Sequence, residues 1–193
     1  MRNKIFLFMQ ILCLMAVLSP AACSDSEENG TPIEGDVYVA GGSEIGVTLW
    51  KNGVAQTLSE TGSARSVFVS GNDVYVAGYV FKGYNSIPTL WKNGVAQKLS
   101  EKGFAESVFV SGNDVYVAGS LGDGEVVLWK NGVAQKFTEK GMARSVFVAD
   151  NDVYVAGWVD DERYGGMAAV LWKNGVRQNL TDRGGGAYSV FVK

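Results

Sequence analysis

Four residues with usable chemistry occupy one position of a repeated string. Arg65, Glu106, Arg144 and Tyr188 each stand directly before Ser-Val-Phe-Val, which begins at Ser66, Ser107, Ser145 and Ser189. A guanidinium pairs bidentately with an anion, so two arginines brought together can clamp a carboxylate or an acidic sugar. The bland alternative is that Glu106 neutralises two arginines in a crowded place. Conventional catalysis finds little else to work with. The chain has no histidine, which excludes imidazole acid–base chemistry, His-based triads and His-ligated zinc. The recurring serines have no base beside them and read as hydrogen-bonding residues. An enzyme would have to run on carboxylates, Tyr and Arg, and the expected reading is that the protein is not an enzyme.

Aromatic residues offer a second kind of site. Tyr79, Phe81 and Tyr84 fall within 79–88, and Trp158 and Tyr164 within 158–168, the two longest connections between repeated strings. Aromatic faces stack on sugars or grip a partner's side chains, so these residues form a candidate binding platform; packing of the loops on one another is the alternative. Asp160, Asp161 and Glu162, with Asp123 and Glu125, present oxygen atoms of the kind calcium takes, but without an EF-hand spacing. They read as a solvated acidic loop, and no metal or cofactor is expected.

The elements that position these residues form an array. Asp-Val-Tyr-Val-Ala-Gly begins at Asp36, Asp73, Asp114 and Asp152, and Leu-Trp-Lys-Asn-Gly-Val at Leu49, Leu90, Leu128 and Leu171. From Trp50 to Trp91, Trp129 and Trp172 the spacings are 41, 38 and 43, so length variation falls in loops. The strings are β-branched and aromatic, too short for helices, and separated by turn residues. Each Asn-Gly pair is a strong hairpin signal, because a type I′ turn needs positive φ at both central positions. Four antiparallel strands, A to D, in about 40 residues describe a β-propeller blade. The array opens on a B strand at Asp36 and reaches a lone A strand at 189–192. The expected fold is therefore all-β: a four-bladed β-propeller over 36–193, each blade a four-stranded antiparallel sheet, closed where 189–192 pair with Asp36–Gly41. The four tryptophans read as blade packing rather than as a fourfold sugar site. The A–B and C–D turns share one face and hardly vary; the B–C and D–A loops share the other and carry the variation, which is where binding residues usually lie.

The first residues read as an address. Arg2 and Lys4 precede an apolar run at 5–18, too short to span a bilayer comfortably, and Ala21-Ala22 precede Cys23. Cysteine in that place resembles a bacterial lipobox, although Pro20 stands where Leu is usual. The expectation is a signal peptide over 1–22, lipid attachment at Cys23 and an acidic flexible tether over 23–35. Cys13 lies in the apolar run, so no disulfide is expected after processing. A net charge of −3 with no basic stretch beyond the start argues against nucleic acid.

Taken together, the repeats and the address resemble uncharacterised repetitive β-propeller surface lipoproteins of the Bacteroidetes type. That resemblance covers 36–193 and implies a fold and an outer-membrane, cell-surface location, but no catalytic residues. The expected function is non-enzymatic binding of a glycan or a protein through the variable loops. The alternatives are a structural or assembly module, or a carbohydrate-active enzyme. A monomer is expected, and a homodimer sharing an eight-bladed ring is the other possibility.

Overall fold

The computed structural model describes residues 35–193 apart from 45, 162–165 and 182–183. The expected signal peptide, Cys23 and most of the tether lie outside the described residues, as does Tyr164. Fourteen strands in antiparallel sheets make up the described chain, with no helix among the described residues.

The first unit contains β1 (Tyr38–Ser43), β2 (Gly46–Lys51) and β3 (Val54–Ser59) in that spatial order. The second contains β4 (Ser63–Ser70), β5 (Asp73–Lys82), β6 (Asn85–Lys92) and β7 (Val95–Lys98). The third runs from β8 (Gly103–Ser111) through β9 (Asp114–Leu121) and β10 (Glu125–Lys130) into β11 (Val133–Ala149). The fourth continues from β11 into β12 (Asp152–Asp161), β13 (Gly166–Lys173) and β14 (Val176–Asn179). Each Leu-Trp-Lys string pairs with the Tyr-Val-Ala-Gly string before it and with the Val-Ala/Arg-Gln string after it.

Local chemistry accounts for the hairpins. Asn52, Asn93, Asn131 and Asn174 have φ of 50–52°, and the glycines that follow have φ of 79–82°, as a type I′ turn requires. Gly119 serves a different purpose. A Cβ there would lie 1.9 Å from the Phe104 carbonyl oxygen, so only glycine lets the A strand come this close.

Three features depart from the sequence reading. The B–C connection of the second unit is a hairpin with a tight turn rather than a long loop: β5 and β6 pair from Tyr75↔Lys92 to Lys82↔Asn85, leaving only Gly83 and Tyr84 between them. Val80↔Ile87 and Tyr79↔Pro88 continue the sheet there, a β-branched pairing that the glycine and proline nearby disguise. Nor is there a loop between the third and fourth units, because β11 serves as the D strand of one and the A strand of the other. Finally, the expected pairing of 189–192 with the first unit is not formed: among the described residues β1 pairs only with β2 and is a sheet edge. Residues 189–192 instead lie against the fourth unit, where Val190 N donates to Ser145 Oγ at 3.2 Å and Phe191 meets Phe147 with ring centroids 5.1 Å apart.

The core lies between units. Leu49 and Val47 of the first meet Ala64, Val76 and Trp91 of the second. Tyr75, Ala77 and Leu90 of the second meet Ala105, Val108, Val117 and Trp129 of the third. Tyr116, Ala118 and Leu128 of the third meet Ala143, Val146, Val155 and Trp172 of the fourth. Each later Trp thus covers the sheet before it, as packing residues should. Trp91, Trp129 and Trp172 are buried, and their indole N–H groups have no acceptor among the described residues. Burying roughly 150–250 Å² of each at about 25 cal/mol per Å² contributes about 4–6 kcal/mol gross, against about 1–3 kcal/mol for an unsatisfied donor. Burial wins.

Trp129→Ala is expected to lower the free energy of unfolding by about 3–5 kcal/mol in urea titration. A near-neutral change would place this indole outside the core.

Candidate functional site

The Arg/Glu set assembles in part. Arg144 Nη1 donates to Glu106 Oε2 at 2.9 Å, and Arg65 Nε lies 3.9 Å from Glu106 Oε1. The Glu106 side chain is only 8% exposed, so its carboxylate is committed to the two guanidiniums. Successive A strands explain the meeting, because Arg65 on β4, Glu106 on β8 and Arg144 on β11 hold equivalent positions on neighbouring strands. Ser66 Oγ accepts from Val108 N, and Ser107 Oγ from Val146 N, both at 3.2 Å. These bonds give the recurring serines their role as ties between units. Tyr188, the fourth residue of the set, is 69% exposed.

The aromatic set divides. Tyr79 is buried, its ring centroid 5.3 Å from that of Phe81 and 5.1 Å from that of Phe104, and its hydroxyl accepts from Arg65 Nη2 at 3.4 Å. It is a packing residue that carries the arginine over its face at 5.3 Å. Phe81 and Tyr84 are exposed on the β5–β6 hairpin. Trp158 is half-buried on β12, opposite Ala169 on one side and Met142 on the other. Phe81 and Tyr84 thus share one hairpin, while Trp158 belongs to a different sheet. Among the described residues no group of three or more acidic or Cys side chains can hold a metal ion. Asp161, read from the sequence as part of a solvated acidic loop, is instead buried at the end of β12.

On the opposite face a fourfold clasp recurs that the spacing alone does not reveal. In the first copy Lys51 Nζ lies 2.7 Å from Asp36 Oδ2, Asn52 Nδ2 donates to Asp36 Oδ1 at 2.8 Å, and Val37 N donates to Asn52 Oδ1 at 2.8 Å. The same pattern joins Asp73, Lys92 and Asn93; Asp114, Lys130 and Asn131; and Asp152, Lys173 and Asn174. Each clasp ties the A–B turn to the C–D turn. The lysine, and then the asparagine amide, hold each Asp below the usual carboxylate value of 3.8, and the Asp in turn raises its lysine above 10.5.

One cavity of about 530 Å³ opens between the third and fourth units on this clasp side, within the size range of small-ligand sites. Gln135, Lys136, Phe137, Glu139, Asn151 and Arg177 are among its lining residues. The equivalent recess between the first and second units holds about 270 Å³, and the greater size here has a local cause. At the two earlier junctions the amide of Gln56 reaches Gly94 and that of Gln97 reaches Gly132, whereas nothing approaches the corresponding face of Gly175. Arg177 Nη1 lies 3.8 Å from Glu139 Oε1, and its Nε donates to Asn179 Oδ1 at 2.8 Å. The sequence did carry a signal for this place. Arg177 stands where the other copies have Ala55, Ala96 and Ala134, and Phe137 where they have Leu58, Leu99 and Leu180.

Residues 61–80 and 102–123 match the LVIVD repeat, a repeat typical of β-propeller-like folds. The matched segments hold β4 with most of β5, and β8 with β9, the A–B hairpins of the second and third units. No curated protein matches the chain.

Glu106→Ala is expected to destabilise the fold by about 2 kcal/mol, since it removes a charge-assisted bond and strands the Arg144 guanidinium; Glu106→Gln should recover part of that loss in the same denaturant titration. The clasps predict a definite acid response. Because folding lowers these Asp values, their contribution is complete above about pH 4 and disappears as pH falls through the folded values. The melting temperature should therefore drop below pH 4, and less steeply once Asp36, Asp73, Asp114 and Asp152 are replaced by Asn.

Proposed function

We propose that this chain is a non-enzymatic binding module of the β-propeller kind, carried on the cell surface by a lipid at Cys23 in the outer membrane. The four units count as blades, the first of them without an A strand of its own. Its ligand is a glycan, seated in the groove between the third and fourth units. The carrying observation is that groove. It is about twice the volume of the equivalent recess between the first and second units, about 530 Å³ against about 270 Å³, it enlarges where the copies diverge, and it combines amides, charges of both signs and an aromatic ring, a mixture suited to hydroxyl-rich ligands. The engagement of Glu106 by two guanidiniums supports binding over catalysis, because a committed carboxylate makes a poor acid or base.

A second reading places a protein ligand on the β5–β6 hairpin, favoured by the exposure of Phe81 and Tyr84 at its tip.

Glycan-array binding followed by calorimetry separates the two. Arg177→Ala and Phe137→Leu restore the residues found in other copies, so the fold should survive. Each is expected to weaken glycan binding by about tenfold, or 1.4 kcal/mol. Loss with Phe81→Ala and Tyr84→Ala instead would move the ligand to the hairpin, and no effect from any of the four would remove both sites.

A further inference from the structure

The two outer faces of the array are unfinished halves of the contact that its interior repeats three times. Val76, Val117 and Val155 are each 1% exposed, yet Val39, the same residue of the first unit, is 52% exposed. Trp91, Trp129 and Trp172 are buried, whereas Trp50 is only partly so. On the far side of the fourth unit Leu171 is half-buried, although Leu49, Leu90 and Leu128 are buried. Leu180, equivalent to the packed Leu58 and Leu99, lies open there as well.

The A-strand ties show the same asymmetry. Ser66, Ser107 and Ser145 each accept a backbone N–H from the next A strand. Among the described residues Ser189 Oγ accepts no such bond, and no seryl oxygen meets Val67 N on β4. Phe68, Phe109, Phe147 and Phe191 form a stacked series with centroids 4.8–5.1 Å apart, and Phe191 is 76% exposed at its end. Gly78, Gly119 and Gly157 are each pressed by the carbonyl of an A strand, while Gly41 meets only the Trp50 ring. Residues 187–191 are meanwhile already seated on the fourth unit. Ala187 N donates to Gly157 O at 3.0 Å, alongside the Val190–Ser145 bond and the Phe191–Phe147 contact. The strand that β1 lacks is therefore held at the opposite end of the same chain, with its other side bare.

We propose that a second copy of this chain completes both ends: residues 189–192 of one copy pair with β1 of the other, and reciprocally, so that a dimer leaves neither edge open. Strand addition of this kind satisfies backbone groups along an exposed sheet edge. It also packs the Leu171 face of one copy over the Trp50 face of the other, repeating the interior junctions. The pairing register follows from those junctions. Val67↔Val76, Val108↔Val117 and Val146↔Val155 face each other, which sets Val190 opposite Val39 of the second copy.

The test uses full chains carrying Cys13→Ser and Cys23→Ser. Two such chains are co-expressed, one with Val39→Cys and the other with Val190→Cys, then oxidised and run without reductant. A covalent pair containing one chain of each kind is the expected result, since cysteines on different chains meet only across the proposed contact. Absence of that pair overturns the proposal, as does an intrachain disulfide in a chain carrying both substitutions. A ladder of longer covalent chains from that double variant overturns reciprocal closure in a dimer. Should the cysteine variants fail to fold, light scattering of the unmodified full chain in detergent decides: two chains per particle are expected, and one chain per particle overturns the assignment.

Discussion

A four-stranded sheet that is apolar on both faces is not stable alone, and burial of one unit against the next is the interaction on which this fold depends. Each junction sets a Tyr, an Ala and a Leu of one sheet against small or β-branched residues and a Trp of the following one. Dispersion and hydrophobic burial are large there because the faces are near-copies that were shaped once and reused. Close approach matters as much as area. Glycine in the Tyr-Val-Ala-Gly string removes the Cβ that would otherwise strike the neighbouring A-strand carbonyl, and this lets the sheet keep its spacing where it is most crowded.

Polar groups then orient what the apolar faces hold together. The serine ties run from unit to unit along the A strands, and the Asp–Lys–Asn clasps run within each unit, joining its two turns. The clasps are exposed, so their value lies in fixing turn geometry more than in net free energy. Glu106 is the exception. It is buried between Arg65 and Arg144 on neighbouring A strands, and there a carboxylate that looked able to do chemistry settles a charge problem created by its own neighbours.

Divergence between copies marks where the array departs from pure architecture. At the third junction Phe137 replaces a leucine, Arg177 replaces an alanine, and the glutamine that reaches across the earlier junctions no longer meets its glycine. The groove that results was not legible as a cavity in the letters. Its signal was present in two substitutions within strings that are otherwise nearly copied. The aromatic platform shows the opposite case: Tyr79, Phe81 and Tyr84 look alike in sequence, and Tyr79 and Phe81 even share a face of β5, but Phe104 packs on Tyr79 whereas Phe81 and Tyr84 lie near the hairpin tip and stay exposed.

What the sequence by itself determined was the local structure: antiparallel strands in the right order, Asn-Gly turns with positive φ, and tryptophans that pack between units. These follow from short-range sterics and from a hydrophobic pattern repeated often enough to be unambiguous. Only the tertiary structure decided which side chains meet across units, that Glu106 is committed to two arginines, that β11 runs unbroken through two sheets, and that residues 189–192 rest on the fourth unit rather than on the first. Those outcomes depend on how far one sheet turns relative to the next. That angle is a sum of small packing preferences over a whole face, and no single residue encodes it.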